Sequence, residues 1–209
     1  MNTQSHWENV YRTKQPTEVS WYRAHLEVSL RLITDAAPER DASILDVGGG
    51  ESTLVDDLLA NGYGNVSILD LSPTALDVAK KRLGERADAV KWLVGDVTVI
   101  PLGGHAYSVW HDRAVFHFLT GAEGRAAYVR QVAHAVKLGG HVIVATFGPD
   151  GPTKCSGLDV VRYDADALHD QFGVAFELVE HVTEAHQTPW GAMQQFVYCR
   201  CNVISPGAN

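Results

Sequence analysis

The sequence predicts an α/β fold: a mostly parallel sheet with helices on both faces, closed by a C-terminal antiparallel hairpin. Three observations predict it. Short apolar runs alternate with amphipathic stretches from Ser43 to Phe147, and such alternation implies parallel pairing with a helix layer on each side. The first run, Ile44-Leu45-Asp46-Val47, ends in Gly48-Gly49-Gly50, a buried strand turning sharply into a helix. The chain closes on two alternating stretches, residues 175–182 and 194–201, joined loosely through residues 186–191.

Residues 6–13 read as a short helix, with Trp7 and Tyr11 on one face. A polar turn with Pro16 leads to Val19-Ser20-Trp21-Tyr22. In residues 23–36, Leu26, Leu30 and Ile33 recur at helical spacing, and Pro38 lies beyond the end. The first strand covers residues 43–47. Gly48 and Gly50 let a ligand approach the backbone, because no Cβ intervenes. A helix over residues 52–60 aims its free N–H groups at that ligand and ends near Asn61-Gly62.

The second strand is Val66–Asp70. Ser72-Pro73 then supplies a cap followed by proline at the first helical position, and residues 74–83 turn Leu76, Ala79 and Leu83 inward. The third strand is Val90–Val94, and after Gly103-Gly104 a fourth covers residues 107–110. His111-Asp112-Arg113-Ala114-Val115-Phe116-His117-Phe118-Leu119 then reads as a loop at the carboxyl edge of the sheet, where open α/β folds bind ligands. There an ion pair between Asp112 and Arg113 is the structural alternative to a functional role. Residues 120–136 form a helix stopped by Leu138-Gly139-Gly140. Residues 141–147 are a central strand, residues 148–157 a loop holding Lys154 and Cys155 at the same edge, and residues 163–172 a last helix.

The chain has 209 residues, 45% hydrophobic and 20% charged, which suits one globular domain over residues 1–209. No apolar run reaches the roughly 20 residues of a membrane span, and the first residues lack a signal-peptide pattern. Three cysteines without framework spacing point to a reducing cytoplasm. A net charge of -8 disfavours broad contact with nucleic-acid backbones. A monomer or weak dimer is expected.

The glycine turn discriminates between ligands. A dinucleotide site needs a third glycine where this chain has Thr53, and Glu51 stands where a pyrophosphate would lie. These departures favour a nucleoside without phosphates. Asp70, 20 residues after Gly50, is placed to take both ribose hydroxyls. Leu93-Val94-Gly95-Asp96-Val97 ends the third run. Together these three signals resemble the class I S-adenosylmethionine-dependent methyltransferases over most of the chain. The resemblance implies a Rossmann-like fold with seven strands. The segment after strand four matches that of many small bacterial methyltransferases. Trp7, Tyr11 and Trp21 look like the N-terminal aromatics of the lysine methyltransferases that modify elongation factor 1A and citrate synthase, where they close over the cofactor. Their alternative is packing of an N-terminal lid onto the sheet.

The resemblance divides the chain into a helical lid, residues 1–38, and a cofactor-binding core, residues 39–209. It assigns Asp46 and Gly48 to the methionine end, Asp70 to the ribose, and Leu71, Asp96 and Val97 to the adenine. Gly50, His111 and Arg113 line the same site, as do Trp7, Tyr11 and Trp21. His117 and His111 are the candidates for a catalytic group, since a base is needed only if the nucleophile arrives protonated. His117, Lys154, Cys155 and Trp190 are candidates for the acceptor side. Cys199 and Cys201 share a strand face; edge-strand packing is favoured over an incomplete soft-metal site, and no metal is expected. The leading expectation is methyl transfer to a small molecule. A protein lysine is the alternative acceptor, and a non-catalytic cofactor-binding regulator is the third reading.

Overall fold

A computed structural model of the chain describes residues 3–204. Residues 1–2 of the expected lid, and 205–209, lie outside the described residues. Among the described residues, nine strands form a seven-stranded sheet, ordered β3-β2-β1-β4-β5-β9-β8, and a separate two-stranded ribbon, β6-β7. The strands are β1 Ile44–Val47, β2 Val66–Asp70, β3 Val90–Val94, β4 Tyr107–Arg113, β5 Val136–Phe147, β6 Lys154–Cys155, β7 Leu158–Asp159, β8 Phe176–Gln187 and β9 Met193–Val203. The helices are α1 Thr3–Thr13, α2 Glu27–Ala36, α3 Leu54–Ala60, α4 Pro73–Leu83, α5 Ala122–Ala135 and α6 Ala165–Asp170. Pairing is parallel from β3 through β5 and antiparallel for β5-β9-β8.

The order follows from where apolar residues fall. Along β1, Ile44 packs into the layer holding Leu32 and Ile33 of α2, Leu58 of α3 and Leu76 of α4. Its neighbour Leu45 packs into the opposite layer, with Tyr128 and Val132 of α5 and Leu168 of α6. A strand that is apolar on both faces belongs in the middle of a sheet covered on both sides. From β1 the chain winds outward through β2 and β3, then returns to β4 and winds the other way. A crevice therefore opens at the carboxyl ends of β1 and β4.

Local signals fix the helices. The Ser72 side chain accepts from Ala75 N–H, with Pro73 at the first helical position. The Asp164 side chain accepts from Ala167 N–H and starts α6. Helix α1 is tied to the start of α4: Glu8 accepts from Ser72 Oγ, from Thr74 N–H at 3.2 Å and from Thr74 Oγ1 at 2.7 Å.

Five expectations are corrected. Strand β4 runs three residues past Trp110, so His111, Asp112 and Arg113 sit in the sheet rather than a loop. These polar side chains are buried because they are paired, a pattern that hydrophobic periodicity does not register. Helix α5 stops at Ala135 with Val136 already extended; Gly139, at φ 74°, turns the chain later, where the β4–β5 register shifts. Residues 148–157 contain β6, which pairs with β7. The join at residues 186–191 is tight, because β8 runs through Gln187 and Thr188 N–H donates to Ala192 O at 2.8 Å. Finally, β9 lies inside the sheet, so Cys199 and Cys201 pack in the core rather than at an edge. Burial pushes both thiols up to about 12.

Candidate active site

The turn after β1 is built for close approach. Gly48 has φ 68°, and a Cβ there would stand 2.1 Å from Val115 Cγ2. Gly50 has φ 38°, and its Cβ would meet Asp70 Oδ2 at 2.9 Å and the Tyr11 hydroxyl at 3.2 Å. Any side chain would both strain the backbone and fill the crevice.

Two adjoining cavities open beside this turn. The larger, about 210 Å³, is lined by Asp70, Leu71, Asp96 and Val97 on one wall and by Trp7, Tyr11, Trp21 and Phe118 above. The smaller, about 50 Å³, is lined by Asp46, Gly48, Glu51, Arg23, His111 and Arg113. The difference in size suits a nucleoside in the first and a short polar chain in the second. The rings above the larger cavity touch one another: Trp7 lies 5.1 Å from Phe118 and 5.9 Å from Trp21, centroid to centroid and edge to face. Such pairs add about 0.5–1.5 kcal/mol beyond area burial.

The acids are poised by burial. Asp70 is pushed up to about 7 by desolvation, against the Ser72 N–H that donates to it at 2.8 Å, with Asp46 adding to the rise. Glu51 is likewise pushed up to about 7 by burial, partly offset by the Arg82 guanidinium. On β1 and β4, Asp46 and His111 are register partners, and His111 Nδ1 lies 2.7 Å from Asp46 Oδ1. A carboxylate on one ring nitrogen fixes the imidazole's orientation and leaves Nε2 for another partner. That Nε2 is buried without a hydrogen-bond partner, as is Glu51 Oε2, while Arg113 Nη2 makes no hydrogen bond but ion-pairs with Glu184 at 3.7 Å.

Residues 44–140 match the methyltransferase domain family. That segment is a methyltransferase domain, and the chain is similar to the class I S-adenosylmethionine-dependent methyltransferases. Human EEF1A lysine methyltransferase 2 is 21% identical over 196 residues, covering 87% of this chain and 77% of the relative. The ubiquinone/menaquinone biosynthesis C-methyltransferase UbiE of Roseobacter denitrificans is 31% identical over 77 residues, 35% of this chain and 31% of the relative. Among solved structures, the N-methyltransferase NodS of Bradyrhizobium japonicum, in complex with S-adenosylhomocysteine, superposes with a TM-score of 0.73 at 16% identity, covering 98% of this chain and all of that one. A protein solved in work on conversion of a disulfide into a thioacetal during echinomycin biosynthesis reaches 0.80 at 17% identity, over 99% of this chain and 94% of that chain.

The methyltransferase uses S-adenosylmethionine, and its cavities fit that cofactor: a glycine cradle, an acid at the end of β2, and unpaired buried polar atoms in the smaller cavity. Of the expected cofactor residues, Trp7, Tyr11, Trp21, Gly48, Asp70, Leu71, Asp96, Val97 and Arg113 line the larger cavity, and Asp46 and His111 the smaller. Gly50 acts from beneath, by making room for Asp70 and Tyr11.

The expected Asp112–Arg113 ion pair does not form. Neighbours on a strand point to opposite faces. Asp112 holds the turn instead, accepting from Val115 N–H, Phe116 N–H and Tyr128 OH, and burial pushes it up to about 6. Arg113 crosses to the hairpin, donating to Tyr198 OH at 2.9 Å and to Trp21 O at 3.1 Å, with Glu184 3.7 Å away.

Of the acceptor-side candidates, Cys155 alone lines a described cavity. Its thiol is pushed up to about 11 by burial. Lys154 pairs with Asp159 at 2.6 Å on the surface. Trp190 is exposed in the turn between β8 and β9. His117 is packed between Phe118 and Phe147, accepts from Phe147 N–H at 3.3 Å, and is held down to about 3 by burial. A ring so enclosed and so weakly basic is a core histidine.

Val115, Phe118 and Leu119 were legible only as members of a post-strand loop, yet they form cavity wall. Glu51 was read for what it repels, and its place among the unpaired groups of the smaller cavity depends on tertiary packing.

Proposed function

We propose that this methyltransferase transfers the methyl group to a small molecule. One observation carries the reading: four aromatic rings, from α1, the Trp21 segment and Phe118, close the larger cavity from above. A cavity partly roofed by these rings favours a compact acceptor over a side chain that must enter with its polypeptide outside. Asp70 takes the ribose hydroxyls, Leu71 packs on the adenine, and Asp96 with the Val97 backbone meets the adenine edge. Asp46 and Gly48 serve the methionine end. The bound cofactor supplies an electrophilic sulfonium methyl, while the protein orients it and excludes water. Residues 1–38 act as the lid and 39–209 as the core. No helix among the described residues is long and apolar enough to cross a membrane. The three free, buried cysteines support a cytoplasmic reading, and the enzyme is read as a monomer or weak dimer.

A protein lysine acceptor is the second reading. The alignment with human EEF1A lysine methyltransferase 2, over 87% of this chain, favours it. Incubation with tritiated S-adenosylmethionine, a metabolite panel and a cell lysate separates the two. Label in metabolites is expected; label confined to a protein band would replace the small molecule with the lysine.

A further inference from the structure

One segment of the cavity wall is held in a conformation its own residues do not favour. Ala114 has φ 76°, in the left-handed region where a Cβ crowds the backbone. Among the described residues, His105 and Ser156 are the other non-glycine residues with positive φ. Neither lines a described cavity, whereas Ala114 lines the larger one, together with Val115, Phe118 and Leu119. Strain at a ligand-facing position persists only where the surrounding structure over-determines it.

Asp112 supplies that structure. It is fully buried, two residues before Ala114 on β4. Its Oδ1 accepts from Val115 N–H at 2.8 Å, and its Oδ2 from Phe116 N–H at 3.0 Å and from Tyr128 OH at 2.7 Å. The Tyr128 hydroxyl is itself oriented by Trp110 Nε1–H, which donates to it at 2.8 Å. Three donors thus converge on one carboxylate, a side chain with no donor of its own. Ala114 N–H donates to Ala145 O at 2.9 Å, which ties the strained residue to β5. An asparagine could not replace the acid. Whichever way its amide faced, its NH2 would meet Val115 N–H or Phe116 N–H.

The held turn sends its residues two ways. Phe116 packs on Tyr128 and Phe172, with ring centroids 5.0 and 5.5 Å away. Val115 goes toward the glycine turn, where its Cγ2 fills the space that a Cβ on Gly48 would need. The turns after β1 and β4 are therefore keyed together across the crevice, and the key fixes the distance between the glycine cradle and the opposite wall. On the cofactor placement given above, we propose that Asp112 is a positioning residue for the methyl donor: through the strained turn at Ala114 it locks Val115 against Gly48 and holds the wall on which the donor is seated. In-line displacement needs donor and acceptor held in one line, so a wall that shifts lowers rate as well as affinity.

Calorimetry with S-adenosylhomocysteine, the demethylated donor, together with melting scans and hydrogen exchange, tests this. Ala114→Gly removes the strain and with it the fixed turn. It should melt no lower than the wild type, because glycine adopts this φ without a Cβ penalty, yet bind the demethylated donor about three-fold more weakly, since the glycine must be ordered on binding. Asp112→Asn should weaken the same ligand about ten-fold, through loss of a hydrogen bond to a charged group, and should speed exchange at the Val115 and Phe116 amides. Adding Ala114→Gly to Asp112→Asn should recover melting temperature without recovering affinity. Should Asp112→Asn fail to fold, Ala114→Gly decides alone. Wild-type affinity in Ala114→Gly would overturn the positioning role and leave the cofactor site standing. A weaker affinity accompanied by a lower melting temperature in Ala114→Gly would make the turn ordinary packing. Binding to the wild type that leaves the amides of residues 95–97 and 114–119 unslowed would place the cofactor elsewhere, and the positioning role would fall with that placement.

Discussion

Asp70 shows how a binding residue trades stability for function. Burial holds its carboxyl near 7 instead of 3.8, so the folded apo protein keeps a proton that the unfolded chain loses. A folded value above the unfolded one gives stability that is fully present below pH 3.8 and lost as pH rises toward about 7. Asp70→Asn should therefore melt higher than the wild type above pH 7, by about 2–4 °C for each kcal/mol recovered, with the advantage vanishing in acid. The same substitution should weaken S-adenosylhomocysteine about ten-fold, since a hydrogen bond to a charged group contributes about 1.5–3 kcal/mol. Melting scans at two pH values and one titration check both halves; unchanged affinity would place the ribose elsewhere. Asp70 itself was legible, because an acid ending an apolar run after a glycine turn carries a chemical meaning. Glu51 and Arg113 were half legible. Their type and position were plain, but their partners come from α4 and from β9, remote in sequence.

At the scale of elements, the N-terminal segment is held at two depths. Its linker is anchored: His186 Nε2 meets Ser20 O at 2.6 Å, Arg113 reaches Trp21 O, and Thr53 Oγ1 donates to Arg23 O. Helix α1 hangs on Glu8 and on ring contacts over the cavity. Hydrogen exchange should separate these. Amides of residues 3–13 should slow when S-adenosylhomocysteine is added, while those near residues 20–26 should already be slow in the apo protein. Trp7→Ala should raise the cofactor's dissociation constant without lowering the apo melting temperature. Equal protection of α1 with and without ligand, or a destabilised apo fold in Trp7→Ala, would make these aromatics ordinary core. Strands β2 and β3 were legible to the residue, because apolar runs there stop at acids and glycines. The end of β4 was not, since His111, Asp112 and Arg113 look like loop residues until Asp46, Tyr128 and Tyr198 supply their partners. The length of β8 was also hidden, because its alternating exposed polar residues resemble a loop.

For the whole molecule, ligand choice appears as stability. Anything that binds only the folded state raises the melting temperature, by about 2.7 kcal/mol of free energy at a hundred-fold excess over its dissociation constant. S-adenosylhomocysteine at such an excess should shift the transition upward, and NAD at the same concentration should not, because Glu51 occupies the place of a pyrophosphate. A larger shift with NAD would reverse the cofactor assignment.

The sheet's outer strand bears on how one copy of the chain meets another. Among the described residues, strand β8 has no neighbour beyond it, and an open strand edge is a template for pairing with a second chain. Here that edge carries exposed Glu177 and His181, and its register slips between Leu178 and Glu180, where Glu180 turns back to Arg200. A bulge twists the row of free N–H and C=O groups out of line, and a second copy would bring its own Glu177 against the first. The twelve-residue β8 thus carries at the rim two features that hinder edge-to-edge pairing, a break in register and exposed charge.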